Sequence, residues 1–154
     1  MIYAIVAIDD KRGMADDNGI PWDLPADKKF FHDQVSDKTI LMGYGTYVEF
    51  TKPMTNKISY VATSHKVTKP GFTAIADPHT FLKNAKEDIW VIGGAGLLAT
   101  VWDEIETIYA TRVKGDFKCT KFLPEFEGDF TRIDKQPTKK EDRIDFTFEI
   151  WQRK

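Results

Sequence analysis

Ile89-Trp90-Val91-Ile92-Gly93-Gly94-Ala95-Gly96-Leu97-Leu98-Ala99-Thr100-Val101-Trp102 reads as strand, glycine turn, helix. The continuous apolar run Ile89–Ile92 suits a central strand covered on both faces. Glycines let a backbone approach a phosphate closely, and free N–H groups at a helix start favour an anion. The spacing is not the G-x-G-x-x-G dinucleotide fingerprint: counted from Gly93, Leu98 stands where the third glycine would be. A tight turn that merely packs a helix on a sheet would use the same residues.

A second such unit precedes it. Thr39–Met42 runs into Gly43-Tyr44-Gly45-Thr46 and a short helix. Two strand–glycine–helix units in one open sheet can each present a helix start to one dinucleotide, at the carboxyl ends of the strands. Together they favour a cofactor that carries a pyrophosphate. Thr63-Ser64-His65-Lys66 follows another strand and offers hydroxyl and cationic donors for a further phosphate, or is simply a polar loop.

Outward from these units, runs rich in β-branched and aromatic residues predict strands over Ile2–Ile8, Thr39–Met42, Ile58–Thr63, Phe72–Ile75, Ile89–Ile92, Thr107–Val113, Phe130–Ile133 and Phe146–Trp151. In the last, Phe146, Phe148 and Ile150 alternate with Thr147, Glu149 and Trp151, the pattern of an antiparallel edge strand. Helices are predicted near 25–35, 46–50, 78–85 and 97–103, the third opened by the cap Asp77 and a first-turn Pro78. Strands alternating with helices early, then strands alone, predict an α/β fold: one mixed sheet with helices on both faces.

The chain of 154 residues has the usual length of a single domain, and its 42% hydrophobic and 13% aromatic content can fill a core. A net charge of −2 lacks a polyelectrolyte signature, so a nucleic-acid partner is not expected. One cysteine, Cys119, precludes an intrachain disulfide. His32, His65 and His79 lie far apart and no zinc spacing occurs, so no metal is expected. No apolar run approaches the ~18 residues of a membrane span, and no basic segment leads an apolar run at the start. The expectation is a reduced, cytoplasmic protein with no membrane partner, and nothing demands more than a monomer.

Gly19-Ile20-Pro21-Trp22-Asp23-Leu24-Pro25-Ala26-Asp27 is the most telling stretch for chemistry. Pro25 suits the first helical position, which puts Asp27 in the first turn. Phe30, Phe31, Gln34 and Val35 follow at i+3, i+4, i+7 and i+8, so Asp27 shares a mostly apolar stripe. Desolvation there raises a carboxyl pKa towards neutrality, whereas the helix N-terminus lowers it. The residues give the conflict and leave its outcome open: a proton-handling acid, or a first-turn acid that only complements the helix.

Taken together, these pieces resemble the dihydrofolate reductase family over essentially the whole chain. The resemblance rests on Ile2–Ile8, Gly19-Ile20-Pro21-Trp22, Leu24-Pro25-Ala26-Asp27, Met42-Gly43-x-x-Thr46-Tyr47, Val91-Ile92-Gly93-Gly94-Ala95, Thr107–Thr111 and the final Glu149-Ile150-Trp151-Gln152. It implies an eight-stranded, mainly parallel mixed sheet with an antiparallel C-terminal strand and about four flanking helices. It implies NADPH-dependent reduction of 7,8-dihydrofolate to tetrahydrofolate, hydride passing to C6 while Asp27 promotes protonation at N5. By the same resemblance, Trp22 and Thr111 orient water and Asp27. Ile5, Ala7, Phe31 and Ile92 wall the pterin and nicotinamide, and Phe50 and Met54 the benzoyl group. Gly43, Gly45, Thr46, Gly93, Gly94, Ala95, Gly96 and Leu97 cradle the cofactor together with Ala7, Ile20 and the phosphate-side Thr63, Ser64 and His65. The loop from about Ala15 to Ile20 closes over the nicotinamide.

Several positions depart from the family pattern. Lys57 stands where an arginine commonly grips the substrate carboxylate, and offers one point charge in place of a fork. Tyr44, Gly45 and Gly96 occupy positions where cations often face cofactor phosphates, and Leu98 replaces a common tyrosine. Lys28, beside Asp27, replaces a frequent apolar residue and is read as solvent-facing. These departures leave room for a related pterin reductase or a pyrimidine reductase of riboflavin synthesis on the same fold. A non-catalytic dinucleotide-binding protein is the alternative of a different class.

Overall fold

The structure is a computed structural model that describes residues 1–50, 56 and 58–154. Met54 and Lys57 therefore lie outside the described residues. In chain order the elements are β1 (Ile2–Ile8), β2 (Gly13–Ala15), α1 (Pro25–Val35), β3 (Thr39–Gly43), α2 (Tyr44–Glu49), β4 (Ile58–Ala62), β5 (Phe72–Ile75), α3 (Pro78–Lys83), β6 (Ile89–Val91), α4 (Ala95–Thr100), a 3₁₀ turn (Trp102–Glu104), β7 (Thr107–Val113), β8 (Lys121–Phe122), β9 (Phe130–Lys135), β10 (Lys139–Glu141) and β11 (Ile144–Arg153).

The main sheet runs β10-β11-β7-β1-β6-β3-β4-β5, with β9 also paired to β11. Strands β7, β1, β6, β3, β4 and β5 pair in parallel. Strand β11 lies antiparallel to β7. β9 and β10 follow one another along the other side of β11, pairing with Glu149–Arg153 and Ile144–Phe146 respectively, so the sheet is eight strands wide. The small pair β2–β8 stands apart from it.

Strand alternation assigns the two faces. Ala4, Val6, Ile8, Leu41 and Val91 pack with Leu82 of α3 and Leu98 of α4. Ile5, Ile40, Met42, Val61 and Trp90 pack on the opposite face with Val35 of α1 and Tyr47 of α2. A third cluster joins Trp22, Leu24, Val113, Cys119, Phe146 and Phe148 at the start of α1. Cys119 is a buried packing residue whose thiol is pushed up to about 11 by burial, with Asp9 adding to the shift.

Helix α1 spans the expected residues. The predicted 46–50 and 97–103 helices begin at Tyr44 and Ala95, immediately after the glycines, and the second ends as a 3₁₀ turn. The edge-strand expectation for Phe146–Trp151 is corrected: β11 is flanked by β7 on one side and by β9 and β10 on the other. Its polar positions are buried because they are satisfied: Thr147 meets Thr138 at 2.8 Å, and Glu149 accepts from Arg112 at 3.1 Å and from the Trp151 indole at 2.8 Å. The three-residue strands β2 and β10 and the two-residue β8 went unpredicted, being too short to show a period.

Candidate active site

The sheet order determines where a cleft opens. After β3 the chain turns into α2 and packs on one face; after β6 it turns into α4 and packs on the other. Since β3 and β6 are neighbours, the connections diverge between their carboxyl ends and leave a crevice there. Its floor is tied by Gly43 N–H, which donates to Gly93 O at 2.8 Å. The two glycine units therefore form one site. Gly93 has φ +119, a conformation that favours glycine.

The cleft, about 860 Å³, runs from the α1 start across these glycines to the β2–β8 pair. Its wall includes Ile5, Ala7, Ile20, Asp27, Phe31, Gly43, Gly45, Thr46, Phe50, Ile92, Gly93, Gly94, Ala95, Gly96, Leu97 and Thr111. A side-chain carbon added at Gly45, Gly93 or Gly96 would meet nothing within 4 Å, so bare backbone faces open space there. The first N–H groups of α4 have no partner within the helix. This surface fits the phosphates and ribose of a dinucleotide.

Asp27 faces the other half of the cleft. The Thr111 hydroxyl, from β7, donates to Asp27 Oδ1 at 2.6 Å. Thr111 is opposite Ala7 in the β1–β7 register, so the hydrogen bond is built on the sheet. Phe30 and Phe31 line the same cleft, and Phe30 stacks on Phe148 at 4.1 Å and 12°. Burial raises the Asp27 pKa above the ordinary carboxylate value; the Thr111 hydrogen bond opposes this and the charge of Glu141 adds to it. Burial is the largest of these contributions, on the desolvation side of the conflict that the residues left open.

The loop between β1 and α1 closes one side. Buried Asp9 accepts from the backbone N–H groups of Lys11 (2.9 Å), Gly13 (2.8 Å) and Phe117 (3.1 Å), pinning the turn before β2 to the turn after β7. Thr120 N–H donates to Ala15 O at 2.9 Å. Ile20, at the end of this loop, is 64% exposed on the cleft wall.

Residues 1–153 match the sequence model of the family described as dihydrofolate reductase. The chain belongs to the dihydrofolate reductase family. It is thereby an oxidoreductase by kind. The dihydrofolate reductase of Bacillus subtilis (strain 168) is 29% identical to it, covering 100% of this chain and 95% of that protein. That of Lactococcus lactis subsp. lactis (strain IL1403) is 27% identical over 97% and 95%. A solved structure of dihydrofolate reductase from Enterococcus faecalis, complexed with NADP(H) and RAB-propyl, superposes with a TM-score of 0.87 at 21% identity. It covers 99% of this chain and 96% of that one, which extends the likeness to the fold.

Not every residue expected at this dihydrofolate reductase-like site reaches its wall. Trp22 is buried against Phe117, with ring centroids 5.1 Å apart, in the cluster at the start of α1. Thr63, Ser64 and His65 stand beyond the wall at the end of β4. There the Thr63 hydroxyl accepts from His65 N–H at 2.9 Å, and the His65 ring lies 4.6 Å from Tyr44, which does line the cleft. Lys28 is exposed as expected and pairs with Asp23 at 2.7 Å, yet it also borders the cleft.

Four residues escaped sequence reasoning. Asp9 carried a signal, an acid directly after an apolar strand, where side chains often bind turn N–H groups. Lys121 reaches the cleft through the short β8, and Glu141 reaches the α1 start through the short β10; neither has a local pattern. Lys69 closes α2 by donating to the carbonyls of Tyr47 (3.1 Å), Val48 (3.1 Å) and Phe50 (2.7 Å), which holds Phe50 at the wall.

Proposed function

We propose that this chain reduces 7,8-dihydrofolate to 5,6,7,8-tetrahydrofolate with NADPH, working as one domain of 154 residues. The observation that carries the reading is a desolvated Asp27, held by Thr111, in the same cleft as two converging glycine turns. When bound, NADPH supplies the hydride that C6 of the pterin accepts. The chain's own residues position, desolvate and handle the proton.

Asp27 binds the pterin 2-amino group and ring nitrogen and promotes protonation at N5. Its raised pKa keeps part of the population protonated at pH values where an ordinary carboxyl is ionised. Thr111 fixes the carboxyl's orientation, and Trp22 supports it from behind. Ile5, Ala7, Phe31 and Ile92 exclude water from the two rings, which strengthens each polar contact within. Phe50 walls the benzoyl group, with Met54 and Lys57 proposed for the same end of the substrate. Gly43, Gly45, Thr46 and Gly93 to Leu97 take the cofactor backbone, Ile20 covers the nicotinamide, and Thr63, Ser64 and His65 take the outlying phosphate.

Purified protein incubated with NADPH and dihydrofolate tests this, beside NADPH alone and NADPH with a riboflavin-pathway pyrimidine. Dihydrofolate-dependent oxidation is the expected result. Oxidation only with the pyrimidine would move the substrate to the sister reaction, and cofactor binding without turnover would leave a binding protein.

A further inference from the structure

Helix α1 lacks a local cap. Leu24 stands at its N-cap position and makes no side-chain cap hydrogen bond, so the N–H groups of the first turn must find partners elsewhere. One partner comes from 115 residues away: Glu141 Oε1 accepts from Ala26 N–H at 3.0 Å. Ala26 immediately precedes Asp27. Glu141 ends β10, half-buried, and is paired with Ile144 across a two-residue turn. That turn, Asp142-Arg143, has φ of 50° and 65°. Such a turn matches the twist of a hairpin and normally takes Asn, Asp or Gly followed by Gly, so Asp142 suits it and Arg143 does not. Arginine in the left-handed region is strained backbone. The strained turn delivers the Glu141 carboxylate to the first turn of α1.

We propose that Glu141 is a positioning residue of the reaction, capping α1 from the β10–β11 hairpin and fixing the backbone from which Asp27 meets Thr111 and the substrate. The inference rests on the reading of Asp27 as the acid. It goes further by coupling that acid to the β10–β11 hairpin, whose outer strand lies two places from β7 at the sheet's edge. Glu141 also brings a second negative charge to the α1 start, where it opposes ionisation of Asp27. The other groups around Asp27 leave this charge uncancelled. Thr111 on β7 is neutral. Lys28 on α1 is engaged with Asp23. Asp17 on the loop, His32 on α1, Glu49 on α2 and Lys121 on β8 border the cleft, but Glu141 is the charge that acts on Asp27.

Two variants separate the cap from the charge. Glu141→Gln keeps an acceptor oxygen for Ala26 N–H and removes the charge; Glu141→Ala removes both. The readout is the pH dependence of single-turnover cofactor oxidation, alongside thermal unfolding. For Glu141→Gln the falling limb should move to lower pH. The rate at a fixed pH on that limb should drop about threefold, the scale expected for one partly solvated charge near the group. The low-pH plateau should stay within about twofold of wild type. Glu141→Ala should show the same movement of the limb and a lower plateau, because the first turn has lost its acceptor. Profiles of both variants that superpose on wild type would overturn the proposal, as would a limb that moves to higher pH in Glu141→Gln. Asp27→Asn separates the two failures. If the wild-type limb survives Asp27→Asn, the reading of Asp27 has failed. If it vanishes there but both Glu141 variants leave the profile unchanged, only the role of Glu141 has failed.

Discussion

Thr111→Val is the sharpest probe of how the acid is held. Valine matches threonine in shape and puts a methyl in place of the hydroxyl, so the donor to Asp27 goes and no buried donor is orphaned. What is lost is a 2.6 Å hydrogen bond to Asp27 Oδ1, made by a side chain buried in β7. Hydrogen bonds to charged groups contribute about 1.5–3 kcal/mol. On the low-pH plateau Asp27 is protonated and the bond is an ordinary one of about 0.5–1.5 kcal/mol, which gives a loss of about three- to tenfold in kcat/KM there. The bond also favours the ionised carboxyl. Its removal should move the falling limb to higher pH, opposite to Glu141→Gln. Stability follows the same sign. The folded-state pKa of Asp27 is raised, so its stabilising contribution is present below the ordinary carboxylate pKa and is lost as pH rises through the folded value. Thr111→Val deepens that loss, so its unfolding midpoint should fall more at mildly alkaline than at mildly acid pH. Steady-state pH profiles and denaturant melts at both ends measure this. Activity within twofold of wild type, or a limb that moves to lower pH, would refute the reasoning.

Two further outcomes are expected. Lys121→Ala removes an exposed cation from the cleft edge and should weaken NADPH binding about two- to fivefold with little change in kcat, the effect shrinking as salt is added; equal loss of dihydrofolate affinity would count against it. Glu149→Ala removes the buried carboxylate that the partly exposed Arg112 and Arg132 guanidiniums share, Arg112 keeping Glu127 at 3.6 Å, and thermal or denaturant unfolding should show a loss of about 1–3 kcal/mol, where a loss below about 0.5 kcal/mol would remove the argument.

The sequence showed most where a local pattern maps onto a local structure. The two strand–glycine–helix units were readable because apolar strands, glycines and helix starts are adjacent in the chain, and their meeting at one crevice follows from open-sheet topology. Asp27 was legible as an acid on an apolar stripe, but not its protonation. That depends first on burial in the folded cleft, then on Thr111, 84 residues from Asp27, and on Glu141, 115 residues from the neighbouring Ala26. β11 misled because its alternation suggested a solvated face, whereas Glu149 is buried by guanidinium and indole partners supplied by three strands. Lys121 and Glu141 sit on strands of two and three residues, too short for any period to announce them. The outlying Thr63-Ser64-His65 loop shows a limit of another kind: its position at a strand end was readable, but its distance from the cleft wall was not.

The most direct test of the central claim is the pH dependence of dihydrofolate-dependent NADPH oxidation by Asp27→Asn beside wild type. Asparagine keeps the size and some of the hydrogen bonding and removes the ionisable group. The account predicts a fall in kcat of roughly 10²-fold or more near neutral pH, within the reach of general acid catalysis, and loss of the titrating limb. A variant within a few-fold of wild type that keeps the wild-type limb would contradict it, and Asp27 would then be no more than an acid at the start of a helix.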